Sequence, residues 1–358
     1  RSVVLSASYA ARAYGVRSAM PMAQAVRLCP QAVIVPPRHG VYAEQSHAVM
    51  EILRAITPVV EQVSVDEAYL DITGCERLWG TPRETGELIQ QRVSEEQQLS
   101  ISLGIASSKL VAKIACDVGK PHGLQLVAPG EEERFLAPLP VGRMWGVGAV
   151  TAERLLAYGV RTIGDLLGWS EERLTATFGE LGRALYQGAR GRDNSAVHEH
   201  ERRSVSHEIT FDTDVDDRET LEHALLEMSD GVAAQLRRRR LVGQTVRIKL
   251  RYPDLTIATR QTTLPHPTDQ GQAIYARARD LLRRHWHTGQ RLRLLGVGVA
   301  GLLEGGGYQL ELFDGSDQKR IRLNRSLDEI RARYGSRAIR RASQLPPDKG
   351  EGGATPDN

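Results

Sequence analysis

No run of eighteen or more apolar residues occurs in the sequence, so no membrane-spanning helix is expected. Cysteine is scarce: Cys29, Cys75 and Cys116 are far apart, odd in number and outside any C-x-x-C pair. That argues against a disulfide framework and a zinc site, and for free thiols in a reducing cytoplasm. An initiator methionine and a signal-peptide pattern are also missing. A short apolar strand over residues 2–8 is already under way at the first position, which reads as a chain that has lost its beginning. A large net charge is absent too, the total being +3. What remains, 41% hydrophobic and 25% charged residues, is the composition of a soluble globular protein. A chain of 358 residues exceeds one ordinary core, so about two to four units are expected.

The near-neutral total hides an uneven spread. Lys and Arg against Asp and Glu number 12 and 12 over residues 1–128, and 8 and 11 over 129–201. They number 17 and 12 over 202–303, and 10 and 9 over 304–358. The basic excess in the third quarter suits a phosphate backbone. Arg237–Arg240 is the one run of four like charges. It reads equally as a phosphate contact or as a solvated helix end favoured by the dipole.

The stretch that organises the chain is Val63–Thr73, V-S-V-D-E-A-Y-L-D-I-T. Its β-branched and aromatic residues predict a strand. Asp66 and Glu67 interrupt it side by side, and on a regular strand they would face opposite ways. A turn or bulge would let them converge. A solvated hairpin tip is the plain alternative. The apolar frame of Val63, Val65, Tyr69, Leu70 and Ile72 instead predicts a largely buried strand, where unpaired carboxylates are costly and a divalent cation would offset the cost. Asp71 is a further possible donor, too remote along an extended strand.

Around that stretch, apolar spacing predicts helices over 39–56, 81–97 and 108–118, and strands over 32–35 and 99–105. Tyr9 and Arg12 are three apart and would share a helical face. Lys109 and Lys113, four apart, read as a solvated face. G-K-P-H-G at 119–123 ends the third helix, with Lys120 complementing its dipole. After Pro129 the chain becomes helix-rich, and W-G-V-G-A-V-T-A-E-R-L-L-A-Y-G-V at 145–160 sets a tight turn before a helix. Backbone N–H groups at such a start take phosphate readily. Residues 193–206 are polar and aperiodic, as a linker is. Strands over 206–211, 245–251, 257–264 and 292–301 alternate with helices over 220–239 and 268–285, in the order β-α-β-β-α-β. A glycine-rich stretch then leads to Q-L-E-L-F and a basic helix over 327–342, lying against DNA or solvated.

S-V-D-E-A-Y-L-D, the helix S-S-K-L-V-A-K-I-A-C-D-V-G-K-P-H-G and the G-V-G turn resemble the Y-family translesion DNA polymerases, in particular their bacterial polymerase IV type. The resemblance covers almost the whole chain in order. It implies an α/β (α+β) right-hand polymerase: fingers 1–38, palm 39–128, helix-hairpin-helix thumb 129–192, linker 193–205, little finger 206–303 and a tail 304–358. It further implies that Asp66 and Glu67 hold two Mg2+ ions, and that Tyr9, Arg12 and Lys120 grip the dNTP triphosphate. Gly146, Val147 and Gly148 would then touch the duplex backbone, and Gln309, Leu310, Leu312 and Phe313 would bind the sliding clamp (beta subunit). The implied activity is nucleotidyl transfer from dNTP to a primer 3′-OH on primer–template DNA, in translesion synthesis and repair, by a cytoplasmic monomer. Ala10 stands where the family commonly has glutamate. The family's first metal aspartate and steric-gate aromatic would precede Arg1, so the alternative is a catalytically impaired DNA- and clamp-binding chain.

Overall fold

The computed structural model describes residues 1–199, 203–304, 315–335 and 338–339. The chain divides into two compact units, the first from Val3 to His200 and the second from Glu201 onward.

The first unit opens with two short helices, α1 (Tyr9–Ala13) and α2 (Met22–Leu28), around a small core of Val4, Val16, Ala25 and Cys29. The strand expected over 2–8 is reduced to one bridge, Val3 to Pro21. That expected over 32–35 does not form: Val33 and Val35 are 88% and 69% exposed, with no neighbouring strand to repay extension. α3 (His39–Ile56) follows its apolar spacing, burying Met50, Ile52, Leu53 and Ile56. These pack on α5 (Pro82–Gln97), which buries Ile89 and Val93. Thr81 and Glu84 cap α5 reciprocally, with Pro82 in the first turn.

Between those helices, β1 (Val60–Gln62) and β2 (Ala68–Leu70) pair antiparallel, and α4 (Glu76–Trp79) is a single turn. β3 (Leu103–Ile105) and β4 (Leu124–Leu126) pair in parallel around α6 (Lys109–Val118). Gly104 lies so close under α6 that an added Cβ would sit 1.9 Å from the Ala112 carbonyl, so only glycine allows this helix–strand approach. α7 (Glu132–Leu136), α8 (Ala149–Ala157), α9 (Glu171–Phe178) and α10 (Glu180–Ala189) complete the unit. Leu136, Leu155, Ile163, Leu166, Leu174 and Leu185 form their core, which runs into Val111, Ile114 and Ala115 of α6.

The second unit is the predicted β-α-β-β-α-β layer, made of β5 (Ser204–Val215), α11 (Arg218–Arg238), β6 (Leu241–Arg251), β7 (Ile257–Thr268), α12 (Gly271–His285) and β8 (Leu292–Glu304). The sheet order is β5-β8-β6-β7, every neighbour antiparallel. One face carries Val205, Val246, Ile248, Leu250, Leu295, Val297 and Val299, which bury against Leu225, Val232, Ile274 and Leu282 of the two helices. Alternation puts polar and small residues on the other face.

A last helix, α13 (Gly315–Tyr334), lies earlier in the chain than the 327–342 expected from its basic residues. Gly335, at φ 93°, stops it in the left-handed region. Asn324 is 7% exposed and donates to Gln270 (2.6 Å). Arg237 holds Asp328 with two bonds of 2.6 and 2.9 Å and donates to the Asp269 carbonyl. Arg237 is thus held inside the unit and is not the solvated helix end that one reading of the basic run expected.

Candidate active site and nucleic-acid interface

The stretch around Asp66 and Glu67 is a hairpin, not one strand. Glu61 faces Tyr69 across the β1–β2 ladder, and residues 63–67 turn the chain. The Val63 amide donates to the Glu67 carbonyl (2.9 Å), and the Ser64 hydroxyl reaches Asp66 Oδ1 at 2.5 Å. The turn cancels the strand's alternation, so the two carboxylates can serve one side. The buried frame expected from the apolar residues holds only in part: Leu70 and Ile72 pack on the core and Tyr69 is half-buried, but Val63 and Val65 are 49% and 50% exposed. The two acids therefore lie on the exposed hairpin tip that the sequence had left as the plainer reading. Asp71 turns back on its own loop, where the Thr73 side chain and backbone hold its carboxyl below the usual range.

The lysines of α6 are not a solvated face. Lys113 Nζ bonds Glu67 Oε1 and lies 4.0 Å from Asp117 Oδ1. Lys120 Nζ is 2.7 Å from that same Asp117 oxygen. Glu67, expected to hold metal, and Lys120, expected to hold triphosphate, are thus joined by an unbroken row of ion pairs. Burial works against the Lys113 ammonium, but its bond to Glu67 and the field of Asp117 leave its pKa raised. Lys120 is raised too, chiefly by the bond to Asp117.

Beneath the hairpin sits a pair that the sequence did not single out. Glu61, 1% exposed, meets Lys109 Nζ at 2.6 Å. Lys109 also donates to the Ala196 carbonyl and stands 5.0 Å from the Tyr69 ring centroid. The His198 amide donates to Glu61, and Asp193 accepts from the Leu110 amide at the start of α6. The polar stretch predicted as a free linker is therefore tied, as far as His198, to the base of the hairpin. Tyr69 lies among these acids, and burial, then Glu67 and Glu61, push its phenol up to about 12.

On α1, Arg12 sits 4.9 Å from the Tyr9 ring centroid, with its Nε donating to the Ala7 carbonyl. The remaining guanidinium nitrogens form a fork that suits phosphate oxygens. In the helical section, Gly146 has φ 84°, Val147 is 9% exposed, and Gly148 starts α8 without a side-chain cap. The first amides of α8 are then open to an anion. Val141 and Ile163 tie the two ends of this motif through bonds to Arg161 and Leu139 (each 2.8 Å).

The sheet face opposite α11 and α12 in the second unit went unnoticed in the sequence, because alternation shows that a face exists and not what it presents. Ser204 and Ser206 stand beside Ala300 and Gly298, and Glu208 beside Gly296. An added Cβ at Gly296 or Gly298 would come within 2.8 or 2.9 Å of Glu208 or Ser206, so that middle strand must stay bare. Next to it, Arg247 is held by Gln261 (2.9 Å) and Lys249 by Glu208 (2.9 Å). The result is a shallow floor with two cations along one edge. Gln309, Leu310, Leu312 and Phe313 lie outside the described residues.

Asp66 and Glu67 offer hard oxygen donors of the kind Mg2+ takes. Among the described residues no group of three or more His, Cys, Asp or Glu could hold a metal. That donor set fits an ion that is bound by one or two carboxylates and completed by substrate phosphates and water.

Models of the impB/mucB/samB family match residues 1–117, its C-terminal domain residues 202–312, and the IMS family HHH motif residues 129–160. The chain belongs to this family, the Y-family DNA polymerases. It is 41% identical to DNA polymerase IV of Moorella thermoacetica, over 96% of this chain and 86% of that one. A Y-family DNA polymerase chimera superposes with a TM-score of 0.73 at 26% identity, covering 83% of this chain and 86% of the other. An insertion ternary complex of Dbh DNA polymerase superposes with a TM-score of 0.61 at 25% identity, over 84% and 88%.

Proposed function

We propose that the protein is a template-directed DNA polymerase that copies past damaged bases. The observation that carries this is the hairpin tip: two adjacent carboxylates beside α6, with Lys120 in the turn just past that helix's end, in a chain of this family. Arg12, stacked beside Tyr9, and Lys120 bind the triphosphate of the incoming dNTP. The α8 amides after Gly146, Val147 and Gly148 hold backbone phosphates without reading sequence, and Arg247 and Lys249 do so from the sheet floor. Asp66 and Glu67 would hold two Mg2+ ions, which when bound stabilise the attacking and leaving oxygens of an in-line displacement. Single-nucleotide incorporation opposite each of the four template bases, and opposite a damaged base, tests the reading. Incorporation should follow the template and continue at the lesion. Incorporation that ignores the template would contradict it.

We further propose that Gln309–Phe313 binds the replicative sliding clamp, with Leu312 and Phe313 as the anchors that dominate a small interface. Changing both to Ala should abolish clamp binding and leave affinity for bare primer–template intact. Unchanged clamp affinity in a pull-down or titration would remove the assignment.

A further inference from the structure

The ion-pair row on α6 has a property that neither end explains. Lys113 and Asp117 stand four apart on one face of α6, and Lys120 reaches back to Asp117 from the turn after the helix. A single oxygen, Asp117 Oδ1, faces both lysines, at 4.0 Å from Lys113 and 2.7 Å from Lys120. Both ends of the row are groups that substrate needs, and both are already engaged. Lys120 is neutralised in part by Asp117, and Glu67 has one oxygen taken by Lys113.

We propose that Asp117 is a positioning residue that couples capture of the triphosphate by Lys120 to release of Glu67 from Lys113. It rests on the roles of Lys120 and Glu67 given under Proposed function. Phosphate oxygens draw Lys120 off Asp117, since charge-assisted bonds to phosphate are strong. The freed Asp117 carboxylate then has one cation in reach, Lys113, which swings the short distance from Glu67 to Asp117. Each ammonium keeps an anionic partner throughout, so the exchange strands no charge. The Glu67 oxygen becomes free for a cation when nucleotide is present, and is covered when it is not. Without the Asp117 charge, Lys113 has no second acceptor in the row and stays on Glu67.

The test measures binding, not turnover. Mn2+ affinity is measured by electron paramagnetic resonance with and without a non-hydrolysable dNTP analogue, in the wild type, Asp117→Asn and Lys113→Met. The ratio of the two affinities is the coupling, which must be the same measured from either ligand. The bond between ion and phosphate is common to all three proteins and cancels when they are compared. Asp117→Asn should reduce the coupling about tenfold, within the usual range of such effects. Lys113→Met should raise Mn2+ affinity in the absence of nucleotide and also flatten the coupling, because Glu67 is then always free. Asp117→Glu should restore part of what Asp117→Asn loses. A merely structural salt bridge would lower thermal stability in these variants and leave the coupling unchanged. Wild-type coupling in Asp117→Asn, or unraised Mn2+ affinity in Lys113→Met, would overturn the exchange. Glu67→Gln and Lys120→Ala are the controls: if the first leaves Mn2+ binding intact or the second leaves analogue binding intact, the site reading itself has failed and the exchange falls with it.

Discussion

Two buried side chains decide how firmly the carboxylate hairpin is held. The Glu61 side chain is 2% exposed and that of Lys109 14%. Removing one partner of a buried pair leaves the other charge without compensation, which typically costs about 3–5 kcal/mol. Lys109→Met should therefore destabilise the first unit by about 3 kcal/mol, the lower end of that range, because Glu61 keeps the His198 amide. Urea unfolding measures it, and a loss within experimental error would show that the pair is idle. Tyr69 gives a second, pH-dependent reading. Its phenol is raised to about 12 from the ordinary tyrosine value of 10.0, so the folded state retains the proton that the unfolded chain releases first. Tyr69 therefore supports the fold below pH 10, and that support is lost as pH rises from 10 towards 12. The difference between wild type and Tyr69→Phe in phenolate absorbance should titrate near 12. A midpoint at the ordinary tyrosine value would mean that the ring is more solvated than its position implies. Neither Glu61 nor Lys109 was legible as a pair, since a contact spanning 48 positions leaves no local pattern.

Local periodicity served well where one element buries one face. α3 spans the residues its apolar spacing predicts, and the second unit keeps the order of strands and helices expected of it. It failed where pairing depends on a distant partner. Ala32–Val35 has strand composition and no strand beside it, whereas β4 forms because Gly104 lets α6 settle on β3 and brings the two strands together. The acidic stretch lay between these cases: its strand composition was legible, but the turn was not, and that turn exposes Val63 and Val65 whatever their type. The sheet floor of the second unit shows the same limit. Its two cations, Arg247 and Lys249, share a face only because the strand alternates, and the bare strand beside them needs Gly296 and Gly298. If they contact phosphate, Arg247→Ala and Lys249→Ala should each reduce the salt dependence of DNA binding by about one unit of log–log slope, evenly across sequences. An unchanged slope would place the duplex elsewhere.

At the scale of the whole molecule, the proposed chemistry lies in one unit and the proposed contacts to DNA are shared by both. The carboxylate hairpin, Arg12, Lys120 and the Gly146–Gly148 turn lie before His200, and the sheet floor and α13 after it. Family resemblance supplied the candidate residues from sequence, and the structure added their connections: the row from Glu67 to Lys120, and the tie from Asp193, Ala196 and His198 to the hairpin base. The central claim is that Asp66 and Glu67 carry out nucleotidyl transfer and do not bind DNA. Comparing primer extension and primer–template affinity in the wild type, Asp66→Asn and Glu67→Gln tests it most directly. Each variant should lose extension by at least about a hundredfold, roughly 2.7 kcal/mol of transition-state stabilisation, with DNA affinity unchanged. Extension that survives in both variants, or that falls only in step with DNA affinity, would contradict the account.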